Sequence, residues 1–282
     1  MHPIRAILVA SIALLVVPSL AGAAPVSSSS QSGTVTATIS WDAGVDADTE
    51  LDTITGIALE IRRGDQVVRS GPLTITGCAE PMCRINAFGS AATAPSVLVR
   101  NVDPDTEPEV LVLAFSGGAH CCTTLSVHDW TGTAYRHVQR DFGNGYVTLL
   151  GRGASTVMRS IDDRFAYRFT SYAGSWLPVR VLALRRGRYV DVSRSFPGLL
   201  QRDAAAAWRT AREQCRSTDE YAVTLGAYAG WAANQYRLGL RRSALATLRA
   251  QEAAGCLKGD GTAPTTSFIA TLDRFLLQPN PA

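Results

Sequence analysis

Two neighbouring segments of this 282-residue chain carry side chains whose types and spacing can do chemistry. Residues 101–109 read NVDPDTEPE, residues 116–122 read SGGAHCC, and the apolar run VLVLAF joins them. In the first, oxygen ligands recur at alternate positions of a short loop, as a hard cation such as calcium requires. In the second, a glycine pair precedes His120, Cys121 and Cys122. Thiolate and imidazole suit zinc or copper, and a cysteine beside a base can also act as a nucleophile or exchange disulfides.

Four readings of Cys121 and Cys122 stay open at this level. In the structural one, Gly117 and Gly118 bend the chain and the cysteines are oxidised. Six cysteines, an even number in an exported chain, point to three bridges. Spacing favours Cys78 with Cys83, around a four-residue loop, and Cys215 with Cys256, joining two helix ends. Cys121 and Cys122 are then left to bond each other or to exchange with Cys78 or Cys83. A direct bond between neighbours is strained, because a trans peptide holds their Cα atoms about 3.8 Å apart. The second reading is a transition-metal site built from His120, Cys121, Cys122 and His128. The third is a thiol nucleophile, with His120 or His128 lowering the pKa of Cys121 or Cys122. The fourth is thiol–disulfide exchange.

The acidic loop resembles the calcium loop of FG-GAP/VCBS-type β-propeller repeats, in which an Asp-rich loop with a central glycine precedes a strand. The resemblance implies ligands Asn101, Asp103, Asp105 and Glu109, with Glu107 at the backbone-carbonyl position. The chain departs from the pattern twice. Asn101 removes one negative charge, and Thr106 stands where glycine takes the strained turn conformation. Both changes weaken binding, so a metal-free acidic turn remains the competing expectation. The SGGAHCC segment and residues 162–175, DDRFAYRFTSYAGS, resemble segments of uncharacterised exported bacterial proteins, which implies no particular activity.

The elements that must position these residues fall into two blocks behind a leader. Residues 1–23 carry a single Arg5, an apolar run over 6–17 and a small-residue end at Ala21-Gly22-Ala23, the form of a secretion signal removed near Ala23. That run is too short to span a bilayer, and no other stretch approaches the necessary length of about 18 residues. Removing it takes away one arginine and no acid from 27 basic and 24 acidic side chains, leaving +2. Such a balance argues against nucleic-acid binding. Residues 24–32 read as a Ser-rich linker. Residues 33–196 show short alternating runs with β-branched residues and turn punctuation, among them 34–41, 54–62 and 67–76, with three further strands expected over 160–192. They predict an antiparallel all-β domain, a sandwich or a partial propeller, since about 160 residues are too few for a complete one.

From residue 197 to 282 the composition turns to Ala, Leu, Arg and Glu, with helical spacing over 204–215, 221–238 and 243–254 and a fourth helix over 267–277. Residues 217–220 have a capping-box form, and Gly239 and Gly255 are helix stops. Tyr221, Tyr228, Trp231 and Tyr236 form an aromatic stripe assigned to core packing. The fold class is therefore α+β. The expected function is that of a secreted or periplasmic, non-enzymatic protein binding an unidentified protein, glycan or envelope component, with calcium as its one cofactor. The alternative is an exported thiol-dependent enzyme or redox protein acting through Cys121 or Cys122.

Overall fold

The computed structural model describes residues 24–46, 52–91, 93–118, 121–219, 221–261 and 267–279. The expected secretion signal and His120 lie outside the described residues. Among the described residues three antiparallel sheets come first and four α-helices follow, as expected of the fold class. The first sheet holds β1 (Ala24–Ser32), β2 (Val35–Val45), β3 (Asp52–Arg63) and β4 (Gln66–Pro72) in that order. In the second, β7 (Glu109–Phe115) pairs with β5 (Arg84–Asn86), β6 (Val97–Arg100) and β8 (Thr123–Trp130), and β9 (Tyr135–Asp141) completes the edge. The third holds β10 (Thr148–Leu150), β11 (Val157–Ile161), β12 (Val179–Arg185) and β13 (Arg188–Asp191). The helices are α1 (Pro197–Arg216), α2 (Leu225–Arg237), α3 (Arg241–Ala253) and α4 (Phe268–Leu277).

The second sheet lies between the other two, and this is why β7 is apolar without alternation. Val110, Val112 and Ala114 share one core with Ile39, Leu59 and Ile61 of the first sheet. Leu111 and Leu113 point the other way, into a core with Leu125, Val127, Met158, Leu182 and Leu184. Residues 110–114 are all buried. The strands of the first sheet face solvent on their other side and alternate accordingly, with Val35, Ala37 and Ile39 buried and the residues between them less so.

Three expectations need correction. Residues 24–32, read as a linker, form β1, paired with β2 from Ala24↔Ala43 to Ser32↔Val35. Their serines are useful at this edge, because the Ser28 and Ser30 hydroxyls accept the Ser96 and Val99 amides at 2.9 and 3.1 Å. Second, residues 160–192 contain β12, β13 and the end of β11 but no strand over 162–178. There Tyr167 adopts a φ of 57°, and Phe165 and Phe169 turn away to pack on Phe275 and Phe268 of the helices. Third, α2 begins at Leu225 with Thr224 as its N-cap, and not at the expected residue 221. The Ser217 hydroxyl accepts the Asp219 amide and Asp219 accepts the Tyr221 amide, so local side-chain bonds compete with helix. Tyr221 is left 80% exposed, whereas Tyr228 is fully buried as expected. Gly239 and Gly255 do follow helix ends, with φ of 81° and 68°.

The core of the helices takes in residues from the segment before them. Phe165, Phe169, Trp176 and Leu177 join Tyr228, Leu225, Leu248 and Phe275 in one cluster, and Gly226 packs so closely that an added Cβ would lie 2.0 Å from the Gly174 carbonyl oxygen. An ion-pair knot ties the same boundary. The Asp162 side chain is fully buried, receives Arg164 Nε at 2.9 Å and Arg237 Nη2 at 2.8 Å, and Arg237 also donates to the Val179 carbonyl. Removing one member of such a set strands the others as buried charges. Asp162→Ala is therefore expected to lower the unfolding free energy by about 3–5 kcal/mol. Asp273→Ala, which breaks the more exposed pair with Arg241, should cost under about 1 kcal/mol. Urea unfolding of the two variants checks the ranking.

Candidate functional site

The loop of residues 101–108 is organised from within. The Asp103 carboxylate accepts the Asp105 amide at 2.9 Å and the Asp105 carboxylate accepts the Glu107 amide at 2.8 Å, while the Asn101 side-chain amide donates to the Asp105 carbonyl. Glu109, the first residue of β7, reaches back so that its Oε2 accepts the Val102 amide at 2.6 Å. These bonds aim Asp103, Asp105 and Glu109 at one point. A fourth carboxylate arrives from β8. Val110 pairs with His128, so Asp129, one residue on, falls beside Glu109 on the same face of the sheet. Carboxylate oxygens of Asp103, Asp105, Glu109 and Asp129 all lie within 4.8 Å of one another. Oxygens on opposite sides of a calcium ion are separated by about 4.6–5.2 Å, twice the usual bond length.

Asp103, Glu109 and Asp129 are buried, at 3%, 0% and 2% exposure. Arg136 donates to Asp129 from a partly exposed position. Glu109 Oε1 and Asn101 Oδ1 are buried with no hydrogen-bond partner among the described residues. Burial above all, and then the charges of Asp103, Asp105 and Asp129, push the Glu109 carboxyl up to about 8 against the pull of the Val102 amide. Asp103 is raised too, again first by burial. Among the described residues the cluster thus has a surplus of acceptors and a deficit of positive charge. It opens to a cleft of ≈ 780 Å³ that includes Trp130, Arg185 and Arg186.

Of the ligands expected from sequence, Asp103, Asp105 and Glu109 converge and Asn101 borders them. The Glu107 carboxylate is turned outward to Arg63. Asp129 was missed. Its one trace in the sequence is an acid at an inward position of the strand TTLSVHDW, and only the strand register links it to the loop.

The structure separates His128 from the two cysteines proposed for a thiol centre. Cys121 is bonded to Cys122, Cys78 to Cys83 and Cys215 to Cys256, so Cys121 and Cys122 do not exchange with Cys78 or Cys83. The peptide joining Cys121 and Cys122 is cis, not the trans form assumed from sequence. His128 stands near the far end of β8 from Cys122, about 20 Å along the strand at about 3.3 Å per residue, which removes it from any metal or base role there. It is buried and stacks on His137 with centroids 4.3 Å apart and planes 7° from parallel. Burial, then His137 and Arg69, push its pKa down to about 3.

One comparison with known proteins bears on the chain. Over 113 residues it is 36% identical to a protein of Synechocystis sp. described as a probable thylakoid lumen protein, the match covering 37% of this chain and 33% of that protein. The chain thus matches about a third of its relative's length. No family model and no solved structure matches.

A carboxyl whose pKa is raised in the folded state adds stability that is complete below its ordinary value of 4.5 and is lost as pH rises through the folded value. In chelator, the unfolding free energy should therefore contain a component that falls between about pH 4.5 and 8. Glu109→Gln, a mimic of the protonated side chain, should remove that component and leave the metal-free protein more stable than wild type at pH 8. Urea unfolding across the pH series checks this, and an unchanged slope in the variant would refute it.

Proposed function

We propose that this is an exported, non-enzymatic binding protein whose 101–109 loop holds a calcium ion against the second sheet. The observation that carries the proposal is the buried, unpartnered Oε1 of Glu109 within a four-carboxylate cluster. All the donors are oxygens, the ligand chemistry of hard cations rather than of zinc or copper. Asp129 supplies the negative charge that Asn101 lacks in the loop, and the carbonyl of Glu107 is a further candidate donor. The ion would neutralise the mutual repulsion of the acids and satisfy the acceptors left over by the hydrogen-bond pattern. Export is supported by the form of residues 1–23 and by the lumenal name of the Synechocystis relative. Among the described residues, no helix is long and apolar enough to cross a membrane.

Calcium titration followed by calorimetry is the direct test, with magnesium as comparison. One site is expected, with unfolding free energy raised by about 2.7 kcal/mol when calcium stands at a hundred times its Kd. Binding must expel the Glu109 proton, so affinity should climb with pH, approaching tenfold per unit, and level off near pH 8. Asp103→Asn with Glu109→Gln should abolish both the heat and the stabilisation. Calcium binding that survives this double substitution would place the ion elsewhere.

A further inference from the structure

The segment left unused by that function is the Cys121–Cys122 bridge at the other end of β7. It forms part of the wall of an open cleft of ≈ 450 Å³ together with Arg140, Asp141, Arg164 and Arg180. Both of its cysteines are half-buried. Each of the other bridges has one buried partner, Cys83 at 0% and Cys256 at 6% exposure. A reductant entering this cleft therefore meets a disulfide accessible from both residues.

The backbone holds the two residues together without help from the sulfurs. The Ser116 amide donates to the Cys122 carbonyl at 3.0 Å, and the Ser116 hydroxyl accepts the Cys122 amide and donates to the Cys121 carbonyl. Gly117 fixes the approach from the other side, since a Cβ there would lie 2.1 Å from the Met82 carbonyl oxygen. Asp141, anchored by the Gly143 amide on its Oδ1 at 2.6 Å, brings a carboxylate oxygen within 4.8 Å of both sulfurs.

We propose that Cys121–Cys122 is a redox-gated metal site, closed as the disulfide and opened by a dithiol reductant to bind a thiolate-seeking divalent cation such as zinc. A thiolate of the dithiol attacks one cysteine sulfur and the other leaves as a thiolate. The second thiol of the reductant then resolves the mixed disulfide. The bridge has gained two electrons and two protons, and the reductant has become a disulfide. Zinc displaces the two thiol protons and takes Asp141 as a third ligand, leaving a fourth position for water. The two thiolates and one carboxylate outweigh the ion by one negative charge. The site is independent of the calcium cluster.

The test uses the full chain saturated with calcium, so that the acidic cluster does not compete for zinc. It is treated with graded dithiothreitol, the free thiols are alkylated and mapped by peptide mass, and zinc uptake is measured after the reductant is removed under inert gas. Cys121 and Cys122 should label at lower reductant than the other four cysteines. The reduced protein should take up about one more zinc than the oxidised protein, and Asp141→Asn should weaken that binding at least about tenfold. Because oxidised and reduced wild type are compared directly, the result does not depend on a variant folding. Prior or simultaneous opening of another bridge, equal zinc uptake in both states, or full affinity in Asp141→Asn would each overturn the proposal.

Discussion

The structure depends on one strand being buried on both faces. β7 has a sheet packed on either side, so residues 110–114 must be apolar, and polar chemistry is confined to its two ends. Glu109 begins the strand and Ser116 follows it. At about 3.4 Å per residue these ends stand roughly 20 Å apart. The acidic loop and the Cys121–Cys122 segment, neighbours in the sequence because a single strand joins them, are for that reason held apart. Nothing short of a displacement of the central sheet could bring Glu109 and Cys122 together.

Two carboxylates with the same burial show what decides their chemistry. Asp162 and Glu109 are both at or near zero exposure. Burial alone would raise the pKa of each, yet Asp162 is held below the ordinary carboxylate range, because hydrogen bonds from Arg164 and the charges of Arg237, Arg164 and Arg180 outweigh desolvation. Glu109 has one amide donor and three acidic neighbours, and is driven the other way. The first arrangement is complete within the chain and reads as structure. The second calls for a proton or a cation, and this contrast, rather than the number of acids, singles out the loop.

Much of this was legible in the residues. The division into strands and then helices follows from the change of periodicity at about residue 197, and the acidic loop and its place before an apolar strand are visible as spacing. What failed did so for tertiary reasons. The serines of β1 look like a linker because an edge strand with one partner needs little hydrophobicity, and its value lies in hydroxyls that serve residues 96 and 99. Residues 162–178 look like a strand because Phe165 and Phe169 share one face, but the face is used by α4 rather than by a sheet. The place of Asp129 beside the loop could not be found, since a side chain brought in through strand register has no local signature.

The distribution of bridges gives the acidic cluster a place in the architecture of the β region. Cys78–Cys83 and Cys121–Cys122 close separations of 5 and 1 residues, and the bridge of separation 41, Cys215–Cys256, lies among the helices. Cross-links over such short separations remove little entropy from the unfolded chain. Among the described residues the sheets therefore have no long-range covalent tie. The acidic cluster joins Asp103 to Asp129, and the same loop places Val102, fully buried, in the core shared by the second and third sheets. An ion held there would close a 26-residue separation and pin that core at once. With both disulfides of the described β region local, an ion held in the acidic cluster would act as a long-range staple.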